Sequence, residues 1–203
     1  MSLVLSAVIY RIHTAREQAF KSPGRGRLEG AMPRNIEIKA RVDDPEALRR
    51  LVEEVADSGP VLVRQSDTFF NCPRGRLKLR VSDRRAGELI YYQRPDTAGP
   101  SESHYRIFPV ADPPALLEIL HGAYGTLGVV EKERSLFHAG RIRIHLDRVA
   151  GLGDYMELEV VLAEGQTAEE GAAVAGSLMA RLEIAPENLV ERAYLDLLLE
   201  RKG

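Results

Sequence analysis

Charged residues recur at every second position in several separated segments of this chain, and a period of two commits each segment to a strand with one polar and one apolar face. In residues 35–40, Asn35, Glu37 and Lys39 point one way while Ile36, Ile38 and Ala40 point the other. Arg76, Lys78 and Arg80 alternate with Leu77 and Leu79. Arg141, Arg143, His145 and Asp147 alternate with Ile142, Ile144 and Leu146, and Glu157 and Glu159 alternate along a further segment. The apolar sets face a core. The charged sets have two physical outcomes. An open sheet shows them to water, whereas a closed barrel gathers them in a lumen, where opposed carboxylates and bases bind divalent metal and phosphate.

Composition narrows the classes. The 203 residues are 44% hydrophobic and 29% charged, which suits one globular domain with a substantial core or a closed barrel. A formal net charge of −2 provides no global positive field of the kind a nucleic-acid polymer attracts. A single cysteine, Cys72, leaves no intrachain disulfide and fits a reducing cytoplasm, and no Cys/His spacing resembles a zinc site. The apolar run over residues 3–10 falls well short of the roughly 20 residues that a membrane span needs, so no membrane partner is expected. Basic residues follow that run rather than precede it, unlike a secretory signal. The stretch KSPGRGRLEG over 21–30 then reads as the end of a flexible leader, residues 1–31, before a folded domain over 32–203. Base rates for oligomers favour a homodimer.

From Met32 the chain runs through two similar passes. After a strand at 35–42, Asp44 and Pro45 open a helix bearing Leu48, Leu51, Val52 and Val55 on one side, which residues 57–60 end. Strands follow at 61–70, 76–82 and 88–94. The second pass has a strand at 104–110, a helix opened by Asp112 and Pro113, and strands at 128–138, 140–149 and 154–163. The recurrence is one of pattern rather than of residues. Helices are expected at 167–183, where Thr167 and Glu170 form a capping box, and at 187–201. About eight strands, several hairpin-linked, with helices outside, make an α+β domain built on a closed or nearly closed antiparallel barrel.

The hairpin over 141–163 turns at Gly151-Leu152-Gly153. It sets Asp147 on one arm against Glu157 and Glu159 on the other, so three carboxylates share a face. Spacing alone is equally compatible with a solvated strand face for Glu157 and Glu159, and with exposed edge charges for Lys78 and Arg80. A desolvated trio needs compensation from bases or from an oxygen-preferring cation such as Mg²⁺ or Mn²⁺. His145, beside them, reads as a hydrogen-bonded structural residue, and Tyr155, Tyr194 and Phe69 as packing residues. Arg76 is placed at a barrel mouth, and Arg94 and Arg106 are read as outer contacts only.

These segments together resemble a known family. Asn35-Ile-Glu37-Ile-Lys39 is similar to the Glu-x-Glu-x-Lys opening strand of the CYTH superfamily, the triphosphate tunnel metalloenzymes, which includes class IV adenylyl cyclases and thiamine triphosphatases. Gln65-Ser-Asp-Thr-Phe-Phe70, Leu77-Lys-Leu-Arg80, Val130-Glu-Lys-Glu-Arg134, Arg143-Ile-His-Leu-Asp147, Leu152-Gly-Asp-Tyr-Met-Glu-Leu-Glu159 and Tyr194-Leu-Asp-Leu-Leu198 follow in the family's order. The resemblance implies an eight-stranded antiparallel tunnel with helices packed outside. Position by position it implies that Glu37, Asp147, Glu157 and Glu159 hold Mg²⁺ or Mn²⁺, and that Lys39, Lys78, Arg80, Lys132, Arg134 and Arg143 grip phosphate oxygens. Glu37, Lys39 and Glu159 are the implied catalytic residues. Asn35 departs from the pattern: it removes one carboxylate and keeps a carbonyl oxygen that ligates a hard cation more weakly.

The expected activity is metal-dependent hydrolysis of inorganic triphosphate or of a triphosphate-bearing small molecule. The same charges also serve a class IV adenylyl cyclase making cyclic AMP and pyrophosphate from ATP, or a non-catalytic triphosphate or polyphosphate-binding module. Sequence leaves the choice among them open.

Overall fold

The computed structural model describes residues 32–83 and 87–201, so the expectation of a flexible leader over 1–31 lies outside the described residues. Eight strands carry the fold: β1 (Arg34–Arg41), β2 (Ser58–Phe70), β3 (Arg76–Ser82), β4 (Gly87–Gln93), β5 (Ser101–Val110), β6 (Thr126–Ala139), β7 (Ile142–Val149) and β8 (Gly153–Val161). They pair antiparallel throughout, in the order β1-β5-β4-β3-β2-β6-β7-β8, and β8 returns to pair with β1 and close the barrel. Exchanging β1–β4 for β5–β8 maps this ring onto itself, as an internal twofold requires. The two-pass sequence pattern therefore has a counterpart in the topology.

Among the described residues, four helices pack outside or across an end: α1 (Pro45–Val55), α2 (Pro113–Tyr124), α3 (Ala168–Arg181) and α4 (Tyr194–Glu200). Each of the first three starts at the cap that its sequence supplies. The Asp44 carboxylate accepts from Ala47 N–H at 2.9 Å, Asp112 accepts from Ala115 N–H at 3.1 Å, and Thr167 and Glu170 form a reciprocal capping box. None of the helices among the described residues is long and apolar enough to cross a membrane.

Most of the hydrophobic core lies between wall and helices, and a further cluster fills one end of the barrel. Ile36, Ile38 and Ala40 of β1, Ile144 of β7 and Met156, Leu158 and Val160 of β8 pack outward against Leu48 and Val52 of α1 and Ala175 and Leu178 of α3. On the opposite wall Phe70 and Leu79 pack against Leu120 of α2. Full burial of each such side chain is worth about 1.5–3 kcal/mol, so the outward apolar faces fix the register that turns the charged faces inward.

Three segments depart from the sequence reading by three residues or more, one of them β5, which begins at Ser101 rather than at 104 because Ser101 and Ser103 pair with Glu37 and Asn35 of β1. Strand β2 begins at Ser58, because the chain reverses at once after Val55 and pairs Ser58 with His138 through an irregularity that ends at Val61. Gly59 makes that entry possible: its φ is +119°, and a Cβ there would sit 2.8 Å from the Leu136 carbonyl oxygen and 2.9 Å from Phe137 Cα. We expect Gly59→Ala to cost about 2–3 kcal/mol, read as a melting temperature lowered by roughly 4–12 °C. Gly140→Ala, at φ +57° with open space around its Cβ, should cost about 1 kcal/mol in the same assay.

The expected helix over 187–201 is instead a short 3₁₀ turn (Pro186–Asn188), an extended strap, and α4. Leu189 bridges to Ala40, and Val190 N–H donates to the Lys39 carbonyl, so β1 claims the backbone that a continuous helix would have used.

Candidate active site

Alternation places two chemically different walls around the lumen. The acidic wall is the β1–β8 seam, where register sets Glu37 opposite Glu159 and Lys39 opposite Glu157. On β7, Arg143 faces Glu159 and His145 faces Glu157. Arg143 Nε donates to Glu159 at 2.6 Å, Lys39 Nζ lies 3.3 Å from Glu157, and Arg94 reaches in from the end of β4 to Glu37 at 3.4 Å.

Burial and the neighbouring Glu159 charge push the Glu37 carboxyl upward, against the pull of Arg94. Burial also works to raise Glu159, but Arg143, His145 and Arg134 outweigh it and hold the group at about 2. Lys39 is pushed down by burial, against the pull of Glu157.

The basic wall runs over β2, β3, β6 and β7. Asp67 accepts from Lys78 at 2.8 Å and from Arg80 at 2.7 and 2.9 Å, with Lys132 at 3.9 Å. Burial raises this carboxyl, yet Arg80, Lys78 and Lys132 together hold it well below the usual range. Arg134 grips both oxygens of Asp147 at 2.6 Å and also Glu157 at 2.6 Å, so one guanidinium links the two walls. Tyr194 Oη donates to Asp147 at 3.1 Å, and its ring lies under Lys39 and Lys132, with 4.1 and 5.2 Å from ammonium to centroid.

The strap and α4 close one end of this lumen. Tyr194 and Leu195 pack on Phe69, Val130, Val149 and Tyr155, while Arg192 and Glu191 offer carbonyls to Lys39 and Arg94, each at 3.1 Å. Arg76 anchors the plug through Asp196 at 2.8 Å. Side-chain exposure then grades along the lumen, from 3–7% at Lys132, Lys39, Arg134 and Arg94, through 13% and 16% at Lys78 and Arg80, to 32% at Arg143. Arg143 is the most exposed of these bases.

Every residue expected at the site therefore faces one lumen, but in two groups. Glu37, Glu157 and Glu159 lie together on the seam, where one carboxylate each from Glu157 and Glu159 and a His145 nitrogen come within 4.8 Å of one another. This oxygen-rich cluster, in which Glu37 and Glu159 repel each other, fits a hard divalent cation. Asp147 sits instead among the bases, both oxygens taken by Arg134. Lys39 belongs to the seam, whereas Lys78, Arg80, Lys132 and Arg134 line the other wall.

Asn35 is a donor here rather than a ligand. Its surroundings orient the amide nitrogen toward Glu37 Oε1 and the Ser103 carbonyl, each 3.3 Å away.

Sequence reasoning misses three participants. Asp67 shares the alternating face of Gln65 and Phe69, which is the available signal. Arg94, an outer contact by its sequence position, is 7% exposed and paired with Glu37. Tyr194 packs, as expected, and also supplies a hydroxyl and a ring face to the charged groups. Arg76 does lie at a barrel end, the one that the plug closes.

The arrangement has known relatives. A CYTH domain profile matches residues 33–194. A protein of Methanocaldococcus jannaschii, provisionally named an adenylate cyclase, is 22% identical over 172 residues, which are 80% of this chain and 97% of that one. Among solved structures, a Pyrococcus horikoshii protein matches with a TM-score of 0.73 at 24% identity, over 81% of this chain and 99% of its own. A Hippeastrum protein provisionally named an adenylyl cyclase, whose structure was described as revealing a dominant triphosphatase activity, matches with a TM-score of 0.59 at 16% identity, over 82% and 96% of the two chains. At these identities the structural likenesses carry the fold.

Proposed function

This chain belongs to the CYTH domain family, and from that membership and the charges of its lumen we propose that it is a divalent-metal-dependent phosphohydrolase acting on inorganic triphosphate or a triphosphate-bearing small molecule. The observation that carries the reading is the convergence of bases and carboxylates in one plugged barrel lumen. Lys39, Lys78, Arg80, Arg94, Lys132, Arg134 and Arg143 meet Glu37, Asp67, Asp147, Glu157 and Glu159 there, with Glu88 across from Arg80 and Asp96 at 4.0 Å from Arg94. Bases gathered at this density can exchange carboxylate contacts for the oxygens of a polyanion. A blind tunnel also suits a small ligand, because a nucleic-acid polymer cannot thread it. The cytoplasm is the compartment we propose, and the free thiol of Cys72 suits it.

In this mechanism the phosphate chain enters from the Arg143 end. Lys78, Arg80 and Lys132 exchange part of their contact with Asp67 for phosphate oxygens, and Arg134 does the same with Asp147. Arg80, Arg134 and Arg143 offer forked donors, and the lysines point charges. Glu37, Glu157 and Glu159 would hold Mg²⁺ or Mn²⁺, and Asp147, once Arg134 turns to phosphate, would be free to join them. The bound ion would neutralise charge on the phosphate oxygens and favour the ionised form of an attacking water. Lys39, between Glu157 and the plug, adds positive charge where charge develops on the terminal phosphoryl group.

The adenylate cyclase names of relatives motivate a second reading, in which the ribose 3′-hydroxyl of ATP attacks the α-phosphorus and pyrophosphate leaves. Incubation with inorganic triphosphate, thiamine triphosphate and ATP, each with Mg²⁺ or Mn²⁺, separates the two. Orthophosphate is the expected product. Cyclic AMP with pyrophosphate would transfer the site to the cyclase, and tight binding without products would leave only a binding module.

A pH dependence follows from Lys78. Burial, Arg80 and Lys132 push its ammonium down to about 8, although Asp67 pulls it up. Below pH 8 Lys78 is charged and grips phosphate, and above pH 8 it loses the proton and the grip. Triphosphate affinity measured by calorimetry should therefore fall as pH rises from 7 to 9. Lys78→Arg, which stays charged, should flatten that fall; an equally steep fall in the variant would contradict the assignment.

A further inference from the structure

His145 stands in the middle of β7 at 4% exposure, and its Nδ1 is a buried polar atom that makes no hydrogen bond. A buried nitrogen left without a partner costs about 1–3 kcal/mol, so its position needs a reason. Nδ1 lies 3.8 Å from Glu157 Oε2 and 3.8 Å from Glu159 Oε1. Both distances exceed hydrogen-bond reach. Both are also close to what two ligand atoms show when each is bonded at about 2 Å to one ion between them.

Neighbouring strands hold these groups in place. His145 is directly across from Glu157, Arg143 from Glu159, and Glu159 in turn from Glu37. Packing on the outward face of β7 by Ile144 at 0% exposure fixes the strand, and so the direction in which His145 points.

We infer that His145 is a nitrogen ligand of the ion held by Glu37, Glu157 and Glu159. The lumen's metal centre would then be a mixed histidine–carboxylate site that prefers a first-row transition ion such as Mn²⁺ over Mg²⁺. The inference rests on the metal-dependent reading above and names the class of ion that reading leaves open. Carboxylate oxygens suit Mg²⁺ and Mn²⁺ alike, whereas imidazole nitrogen suits transition ions and gives Mg²⁺, which holds its water tightly, little in exchange. For Nδ1 to bind, the ring proton resides on Nε2. His145 thereby tunes selectivity while the carboxylates supply most of the charge.

Two measurements on the full chain, stripped of metal and free of any phosphate, test this. Pulsed electron paramagnetic resonance of the chain loaded with one equivalent of Mn²⁺ should show ¹⁴N modulation from a directly bound nitrogen. The modulation should change on ¹⁵N-histidine labelling and vanish in His145→Gln. Calorimetry should show Mn²⁺ bound more tightly than Mg²⁺, with His145→Gln lowering Mn²⁺ affinity by roughly 10- to 100-fold and Mg²⁺ affinity by much less.

Mn²⁺ binding without nitrogen modulation in the wild-type chain would overturn the inference even if the variant failed to fold. So would equal losses for the two ions in a folded variant. Either result leaves the hydrolase reading standing, because carboxylates alone would then hold the ion. Failure of that reading is a different signal: wild-type protein that releases no orthophosphate from any triphosphate with either ion.

Discussion

Replacing Arg134 by methionine should lower the unfolding free energy by roughly 3–5 kcal/mol at pH 7, a larger loss than any other single change at the lumen wall. Arg134 is 6% exposed and donates to Asp147 twice and to Glu157 once, so its removal takes the nearest cation from both, leaving Asp147 to Tyr194 and Lys132 and Glu157 to Lys39. Methionine keeps most of the volume, and the loss therefore reads the charge rather than a cavity. In a domain of this size it corresponds to a melting temperature lower by roughly 6–20 °C.

The sign with pH follows from the same contacts. Burial works to raise both carboxyls, but Arg134 with Lys132 holds Asp147 below its ordinary 3.8, and Lys39, His145 and Arg134 hold Glu157 well below its ordinary 4.5. Groups depressed in the folded state contribute stability that is present above their unfolded values and is lost as pH falls through the folded ones. The gap between wild type and Arg134→Met should therefore be widest near neutrality and shrink as pH drops below about 4. Denaturant melts at pH 7 and at about pH 2.5 measure it, and an equal gap at both would mean that Arg134 acts through packing instead.

Glu159→Gln should reduce metal-dependent orthophosphate release by about 10²–10³-fold, the scale of losing one group that stabilises developing charge. The variant keeps the side chain's shape and removes its charge. Its partner Arg143 is one-third exposed, so the unpaired guanidinium can turn to water and the fold should be retained. Removing Glu159 also relieves the repulsion that helps to raise Glu37, so Glu37 becomes a better single ligand without replacing the lost one. Turnover within about twofold of wild type, in a variant with an unchanged circular dichroism spectrum, would remove Glu159 from the catalytic set.

What the sequence discloses depends on whether the information is local. Period-two alternation is a property of a few consecutive residues, so the inward faces of β1, β3, β7 and β8 are legible in the sequence alone, as are the Asp-Pro helix starts and the Thr167–Glu170 box. Alternation also exposes Asp67 to view, but its role depends on Lys78, Arg80 and Lys132, which belong to two other strands. Arg94 lies one residue past the end of β4 and keeps the inward parity of Ile90 and Tyr92, but only the pairing of β4 with β3 shows that this face is the lumen's. The strap over 189–193 is unreadable for a related reason: its backbone partner is β1, some 150 residues earlier, and no helix-period argument includes that competitor. The split between an acidic seam and a basic wall likewise follows from ring order, which places β8 beside β1 and β6 beside β2. The hairpin suggests three carboxylates on one face; pairing of β6 with β7 gives Asp147 to Arg134, and closure of β8 on β1 brings Glu37 to Glu159.

Lys132 offers the most direct test of a phosphate-binding lumen. It is 6% exposed near the plugged end, so only a ligand inside the barrel can reach it. It is also expendable for folding, since Asp67 keeps Lys78 and Arg80, and Asp147 keeps Arg134, when its ammonium is removed. Calorimetric titration with inorganic triphosphate should give one saturable site per chain in the wild type and an affinity about 10- to 100-fold lower in Lys132→Met, the worth of one charge-assisted contact. Wild-type affinity in that variant, or no saturable binding to the wild-type chain, would mean that the converging charges do not form a triphosphate site.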